Sequence, residues 1–151
     1  MIIFSRSKNI PEKTKGFHPR IHHKIAGIII KNKKLLMCRK YDEEHFIIPG
    51  GRPKASESVE QTLARELKEE LDVELASMKF FKTYEAPHFK DKDTLVSMDT
   101  FFVDIKGIPK ASQEINELIW LGSSYKNKGI KVASINEDFL IPDLKKAGLI
   151  D

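Results

Sequence analysis

The segment 58–72 constrains the fold of this chain more than any other, because it combines a strong helix signal with crowded charge. Ser58 is followed three residues later by Gln61, which is the spacing of a capping box at a helix start. Glu60 then places negative charge in the first turn, where the helix dipole favours it. The sequence therefore predicts a helix from about Val59 to Leu71.

Apolar residues recur at every fourth position of this helix and fan over roughly 120° of one side, since each residue turns the helix by about 100°. They are Val59, Leu63, Leu67 and Leu71. A stripe of this width is typical of a helix with one face in the core. The pattern predicts that this side of the helix packs on a sheet.

Three glutamates of the same helix, Glu66, Glu69 and Glu70, share an arc of about 100° that borders the apolar stripe. Like charges at this spacing repel one another by a few tenths of a kcal/mol, or roughly 0.2–0.5. One interpretation is a solvated acidic face balanced by Arg65 and Lys68. The other is a divalent cation site, because carboxylate oxygens are the ligands that Mg²⁺ and Mn²⁺ prefer.

The residues before the helix favour the cation site. The run Pro49–Gly51 predicts a tight turn at the end of a strand. Glycine lets the backbone approach a ligand closely, and the carbonyl groups of the turn could add ligands to the cation. A turn, a loop and an acidic helix in this order could enclose a metal and a diphosphate.

Most of the remaining chain is rich in the β-branched and aromatic residues that are typical of strands. The strand candidates are IHHKIAGIII (21–30), KLLMCRK (34–40), HFIIP (45–49), SMKFFKTYEA (77–86), TLVSMDTFFVDIKG (94–107) and ELIWLG (117–122). A turn at Lys31–Lys33 predicts a hairpin, and Pro142 with Gly148 predicts a short helix near the end. Residues 1–20 predict an irregular arm with room for a short strand. These elements indicate an α/β or α+β domain.

Length and composition narrow the class of protein. The 151 residues suit a single domain spanning 1–151, and no segment approaches the ~20 apolar residues that cross a membrane. The single cysteine, Cys38, excludes an internal disulfide and favours a reducing compartment, so we expect a cytoplasmic protein with a buried thiol. The net charge of +4 comes from scattered lysines, which disfavours nucleic-acid binding and suits a small anionic ligand.

The residues from Gly51 onward match a known signature. Gly51 is followed after five residues by Glu57 and, after seven more, by Arg65-Glu66-Leu67, Lys68, Glu69-Glu70, Leu71, Asp72 and Val73. This pattern resembles the Nudix box, the signature of the Nudix (MutT-like) hydrolases. It departs from the signature at Asp72, where the family has glycine. Glycine would supply a left-handed residue at the helix end, so the departure concerns the helix terminus and not the carboxylates.

The resemblance implies the family's α/β/α sandwich around a mixed β-sheet, and hydrolysis of a nucleoside diphosphate linked to another group, X. It also implies a Mg²⁺ or Mn²⁺ cofactor, which neutralises charge on the phosphate oxygens and lowers the pKa of the attacking water. The residues at the family's metal-binding positions are Glu66, Glu69, Glu70 and the carbonyl of Gly51. Arg65 takes the position of an arginine that orients a box glutamate. Glu57 takes that of a glutamate that braces the loop or reaches the metal through water.

The catalytic base is open to more than one glutamate. In the family it is a box glutamate, here Glu66, or a glutamate of a later loop, for which the chain offers Glu114 and Glu117. We favour Glu117 as base or extra ligand, although either of the two fits a solvated turn residue equally well. Arg39, in the strand before the box, is a candidate phosphate contact or half of a structural ion pair.

The box leaves X open, so nucleotide sugars, ADP-ribose and (oxidised) nucleoside triphosphates are all candidate substrates. The aromatic candidates for stacking on the base are Phe46, Tyr41 and Phe89, each of which also fits ordinary packing. A transition-metal site at His18, His22 and His23 is disfavoured, because adjacent residues of a strand face opposite ways.

A second function stays open beside the hydrolase. A catalytically silent Nudix domain could serve as a nucleotide-binding or regulatory module, but such modules typically lose box glutamates that this chain keeps. An RNA-directed enzyme finds no support in the scattered lysines. The sequence leaves the oligomeric state open, with a homodimer among the states that it allows.

Overall fold

The computed structural model of the chain describes residues 4–6 and 20–151. The strands within these residues are β1 (Phe4–Arg6), β2 (Arg20–Ile28), β3 (Ile30–Lys31), β4 (Lys34–Lys40), β5 (Gly50–Gly51), β6 (Glu74–Pro87), β7 (Thr94–Lys106) and β8 (Ile115–Leu121). The α-helices are α1 (Val59–Leu71) and α2 (Ile141–Lys146), with a 3-10 turn at Tyr125–Lys128 and a π-helical segment at Asn136–Leu140 that leads into α2.

The strands form two sheets. The larger has five strands in the order β1-β6-β7-β2-β5, and the smaller has three in the order β3-β4-β8. In the larger sheet β1–β6 and β2–β7 are parallel pairs, whereas β6–β7 and β2–β5 are antiparallel. The central sheet is therefore mixed, as the resemblance implies.

Two apolar clusters lie on opposite faces of the larger sheet, because successive strand residues face opposite ways. Ile25 joins the cluster that contains the leucines of α1, whereas its neighbour Ala26 joins the cluster that contains Ile141 and Leu144 of α2. The sheet is thus covered by a helix on each face. This arrangement confirms the predicted α/β/α sandwich.

Helix α1 begins and ends where its sequence predicts. The Ser58 hydroxyl accepts a hydrogen bond from the Gln61 amide (3.1 Å), and the Gln61 side chain accepts one from the Ser58 amide (2.8 Å), which completes the capping box. The leucines of the stripe are fully buried against the sheet. Val59 is the exception, since it is 40% exposed, and the prediction that it packs on the sheet is wrong. It lies in the first turn, beyond the edge of the sheet's apolar cluster.

Two strand predictions change in detail. The segment 45–49 makes isolated bridges through Phe46 and Ile47 instead of a regular strand. The run IHHKIAGIII is divided between the two sheets, since Ile28 ends β2 and Ile30 begins β3. The predicted hairpin is confirmed, and its turn residues Asn32 and Lys33 both have positive φ angles, of 52° and 60°.

The predicted arm over residues 1–20 lies mostly outside the described residues, apart from β1. β1 pairs with β6 at the edge of the larger sheet. Among the described helices, none has the length and apolar character that a membrane crossing needs. Cys38 is buried, as predicted.

Candidate functional site

The two glycines of β5 bring backbone to the side of α1. Gly50 has a φ of +147°, and a Cβ there would collide with the backbone of Ile25 and Ala26 in β2. At Gly51 a Cβ would collide with the carboxylate of Glu66. The Pro-Gly-Gly turn therefore allows a close approach between backbone and carboxylate that no larger residue permits.

Glu70 is the most deeply buried carboxylate at this edge of the helix. It is 0% exposed, and its Oε1 accepts a hydrogen bond from the Gly50 amide at 2.7 Å. Its Oε2 has no hydrogen-bond partner among the described residues. Burial raises the pKa of this carboxyl to about 7, even though the charge of Lys24 acts in the opposite direction. A buried carboxylate oxygen without a partner is unfavourable unless something else binds it.

Arg65 holds the other two carboxylates of the cluster. Its Nη1 donates to Glu66 Oε1 at 2.8 Å and to Glu69 Oε2 at 3.4 Å. Glu66 is only 8% exposed, and burial raises its pKa in spite of this ion pair. The arginine thus offsets the repulsion between glutamates that the sequence places side by side.

Glu57 fastens the loop before α1 to the same arginine. Its two oxygens accept hydrogen bonds from Arg65 at 2.7 and 2.9 Å, a bidentate geometry, and Oε1 also accepts from the Lys54 amide and the Thr62 hydroxyl. Hydrogen bonds from Arg65, then from the Lys54 amide, lower the pKa of Glu57 to about 2. The structure therefore places Glu57 where a bracing residue would lie.

Within the described residues, no three His, Cys, Asp or Glu side chains converge as a ready-made metal site. The reason is visible in the ion pairs, because Arg65 turns Glu66 and Glu69 toward itself. The donor set nevertheless fits a hard cation: a buried carboxylate oxygen without a partner on Glu70, the carboxylate of Glu66 and, beside it, the half-buried backbone of Gly51. Arg65 pairs with Oε1 of Glu66, so Oε2 is the oxygen of Glu66 that a cation would bind.

A cavity of about 600 Å³ opens beside this edge, and its lining contains a polar and an apolar group of residues, which we call its polar end and its apolar end. Its polar end is lined by Gly50, Gly51, Arg65 and Glu66, with the cations Lys24, Lys40, Arg52 and Lys54 around them. Its apolar end is lined by Ile47, Val96, Met98, Ala133 and Ile135. A ligand that fills the cavity would need an anionic part and a flat or apolar part.

Asn136 lies at the apolar end of the cavity with an unused amide. It is 0% exposed, and neither its Oδ1 nor its Nδ2 has a hydrogen-bond partner among the described residues. His45, also in the cavity wall, has a buried Nδ1 with no partner among them, and its ring lies 4.9 Å from that of Phe89. Buried polar groups normally have partners, so this end of the cavity is suited to a polar, planar ligand.

The loop after β7 brings Glu114, and not Glu117, to the cavity. Ser112 donates a backbone hydrogen bond to the Glu70 carbonyl at 3.1 Å, which fastens this loop to the end of α1. Glu114 follows and lines the cavity, and its charge contributes to the raised pKa of Glu66. Glu117 lies further along, in β8, where it pairs with Arg39 at 3.0 Å.

Phe46 and Glu117 line a separate depression of about 360 Å³ instead of the cavity, and Arg39 contacts both of them. The guanidinium of Arg39 lies 5.7 Å from the centre of the Phe46 ring and also donates to the Glu43 carbonyl. The structure thus places Arg39 in a structural ion pair and Phe46 in the core.

Of the other aromatic candidates, Tyr41 is 67% exposed, whereas Phe89 lines the cavity.

His22 and His23, the two of these histidines that the structure describes, do not come together as a metal site. His22 lines the cavity, whereas His23 faces the other way and its Nε2 lies 2.9 Å from Asp99 Oδ2. The pKa of His22 is lowered, first by burial and then by nearby cations such as Arg52. His18 lies outside the described residues.

Sequence reasoning missed the residues that line the cavity away from the box, above all Asn136 and Lys24. Asn136 follows an apolar run near the C-terminal helix, where an asparagine ordinarily indicates a helix cap. Lys24 is one lysine among many in a strand. Neither position carries a local pattern that would have revealed it.

Comparison with known proteins gives one family and a consistent fold. A family model described as the NUDIX domain matches residues 21–123, which is more than half of the chain. Comparison with curated protein sequences gave no match.

Solved structures similar to the chain include the solution structure of the E. coli ORF135 protein, at 23% identity and a TM-score of 0.65, covering 85% of this chain and 94% of that one. MutT from Aliivibrio salmonicida and Vibrio cholerae is similar at 23% identity and a TM-score of 0.61, covering 84% and 96%. A bifunctional NMN adenylyltransferase/ADP ribose pyrophosphatase from Francisella tularensis, complexed with AMP and a manganese ion, is similar at 20% identity and a TM-score of 0.59, covering 89% and 44%.

The chain spans nearly the full length of the first two structures and less than half of the third. At these identities the likeness establishes the fold, and the family model adds the match over the box and its surroundings. Together they confirm the family and the fold class. The chain belongs to the Nudix family.

Proposed function

We propose that this chain hydrolyses a phosphoric anhydride bond of a nucleotide, namely a nucleoside diphosphate joined to another group X, with a divalent cation bound at the edge of α1. Nucleotide sugars, ADP-ribose and nucleoside triphosphates, including oxidised ones, are the candidate substrates. The alternative of a silent binding module has no observation in its favour, because all the box glutamates are present.

One observation carries the proposal. The fully buried Glu70 has a carboxylate oxygen without a partner among the described residues, and it lies directly behind Gly50, which lines a large cavity together with Gly51 and Glu66. Keeping a carboxylate oxygen buried and unpaired costs free energy, which a purely structural site would have no reason to retain. A bound cation would satisfy this oxygen.

The residues that would hold the cation are Glu70, Glu66 and the carbonyl of Gly51, with Glu69 joining once Arg65 releases it. Mg²⁺ or Mn²⁺ supplies charge neutralisation on the phosphate oxygens and a more acidic water. The protein's part is to keep the glutamates close together. Arg65 does so, and Glu57 fixes Arg65 in turn through a bidentate ion pair.

The attacking water must lose a proton to a carboxylate that reaches the cavity. Glu66 and Glu114 line it, so they are the two candidates for the base. Glu117, which the sequence favoured, lies in a different depression and pairs with Arg39. We therefore no longer assign it a catalytic role.

The opposite end of the cavity would bind the base of the nucleotide. The amide of Asn136 offers one donor and one acceptor side by side, which is the pattern on the edge of a nucleobase. Phe89 and His45 provide a ring surface beside it. The similar Francisella structure contains AMP and a manganese ion, which are the two classes of ligand that this assignment requires.

The proposal is tested by incubating the protein with a panel of nucleotides in Mg²⁺ or Mn²⁺ and measuring released phosphate, pyrophosphate or nucleoside monophosphate. The panel should contain nucleotide sugars, ADP-ribose, the common triphosphates and 8-oxo-dGTP. We expect turnover of at least one member, abolished by EDTA. Failure to hydrolyse any member under either metal would overturn the enzymatic assignment and favour the binding module.

A further inference from the structure

Lys24 occupies the junction between the two ends of the cavity. It lies in β2, directly opposite Met98 of β7 in the register of the sheet. The next residue, Ile25, pairs with Gly51 of β5. Lys24 therefore lies between β5, which contains Gly51, and β7, which contains Met98. Its side chain lines the cavity.

The ammonium of Lys24 is only partly satisfied. It donates one hydrogen bond, to the carbonyl of Ile48 at 3.1 Å. No carboxylate of the described residues lies within ion-pair distance, 4.0 Å, of its nitrogen. Since an ammonium group has three N–H donors, two remain for a ligand. The carboxylates of Glu70 and Glu66 oppose its charge from beyond that distance. An anion that accepts from the two remaining donors would therefore be the first direct partner of opposite charge for this nitrogen.

The neighbouring cations of the cavity differ in this respect. Lys40 has Glu114 at 3.7 Å, and Arg65 is occupied by Glu57 and Glu66. Arg52 and Lys54 lie in the exposed loop before α1, where water satisfies them. Among these cations, Lys24 is the one that projects from the larger sheet, where the pairs of β2 with β5 and β7 fix its position.

We propose that Lys24 binds the phosphate that is attached to the nucleoside, as a fixed positive charge between the cation site and the base-binding end. The inference rests on the proposed function, because it takes the ligand to be a nucleotide. A nucleotide with its base near Asn136 and its anhydride near Gly51 must pass Lys24, and the first phosphate is the group at that point of the molecule.

The experiment compares the binding of nucleosides and of their 5′-monophosphates to the full chain by calorimetry, in EDTA so that no divalent cation contributes. The variants are Lys24→Met, which keeps the length without the charge, and Lys24→Arg, which keeps the charge. Lys31→Met, at an exposed lysine of β3, is the matched control. The difference between monophosphate and nucleoside affinity isolates the phosphate contact, as in a double-mutant cycle.

We expect Lys24→Met to weaken monophosphate binding at least tenfold and to leave nucleoside binding unchanged. Lys24→Arg should keep most of the monophosphate affinity, and Lys31→Met all of it. The Tm of Lys24→Met should stay the same or rise, because an unpaired charge is removed. A structural lysine would show the opposite, a lower Tm with unchanged affinity.

Three outcomes would overturn the inference: equal losses for nucleoside and monophosphate, no loss for either, or no metal-independent affinity of the wild type for any monophosphate. The nucleotide hydrolysis panel, run on the same proteins, separates this inference from the proposed function. If the wild type hydrolyses a nucleotide and Lys24→Met keeps the same difference between monophosphate and nucleoside affinity, only the role of Lys24 is wrong. If Lys24→Met loses monophosphate affinity but the wild type hydrolyses no nucleotide, only the proposed hydrolase activity is wrong.

Discussion

Arg65 is the residue that makes the crowded glutamates compatible with a stable helix. It pairs with Glu57, Glu66 and Glu69 at once, and it donates a further hydrogen bond to the Arg52 carbonyl. One guanidinium therefore joins the loop before α1 to the carboxylates of the helix, a task that suits its planar set of donors. The network holds Glu66 at the cavity and keeps Glu69 close to it.

A pH dependence follows from Glu57. Its folded pKa of about 2 lies below its ordinary value of 4.5, so the ionised form favours the folded state. The resulting stability is fully present above about 4.5 and is lost as the pH falls toward 2. Urea unfolding of wild type and Glu57→Gln should give midpoints that differ most near neutral pH and converge in acid. A constant difference between the two proteins across this range would contradict the account.

Substitution of Asn136 should separate binding from stability. Asn136→Ala removes the donor and the acceptor that we assign to the base, so KM for the nucleotide should rise about 10- to 100-fold with a smaller change in kcat. The Tm should not fall by much, because no hydrogen bond within the described residues is lost. Asn127→Ala, at an exposed asparagine, is the control. A large loss of Tm with unchanged KM would make Asn136 a structural residue.

At the scale of elements, helix α1 is the part of the fold that local signals determine. Its capping box, its end and its buried leucines follow from spacing alone. Its C-cap, Asp72, adopts the left-handed conformation, with φ 55° and ψ 43°, that the family's glycine would adopt without strain. Its carboxylate pairs with Lys68 at 2.9 Å, an exposed contact that contributes little.

We predict that Asp72→Gly leaves activity unchanged and leaves Tm unchanged or raises it by about 3 °C, since relief of left-handed strain outweighs an exposed ion pair. Thermal unfolding and turnover of the best substrate check this. A clear loss of activity with an unaltered Tm would show that Asp72 has a role in the site.

Elements held by long-range contacts were harder to predict. The segment 45–49 has the residues of a strand, but it meets its neighbours only at Phe46 and Ile47 because the chain turns at once into the glycines of β5. Glu114 and Glu117 are similar by sequence. What separates them is the bond from Ser112 to the end of α1, which presents Glu114 to the cavity and leaves Glu117 in β8.

At the scale of the whole molecule, the sheet joins two groups of residues that are far apart in the chain. The box and its glycines form the polar end of the cavity, and these follow from a contiguous signature. The other end combines Met98 of β7 with Asn136 before α2, and Lys24 of β2 lies between the ends. No local pattern marks these three, since only the order of strands in the sheet brings them to one place.

The central claim is that the carboxylates of α1 bind a divalent cation that hydrolysis requires. The most direct measurement is the Tm of wild type and Glu70→Gln with increasing Mn²⁺, together with turnover of the best substrate. Glutamine keeps an oxygen for the Gly50 amide, so the variant should fold. Glu60→Gln, at an exposed glutamate of the same helix, is the control.

We expect Mn²⁺ to raise the Tm of wild type and Glu60→Gln, because a ligand that binds only the folded state stabilises it. Glu70→Gln should show little or no rise, and its turnover should fall about a hundredfold or more. Equal stabilisation by Mn²⁺ and equal turnover in all three proteins would contradict the account.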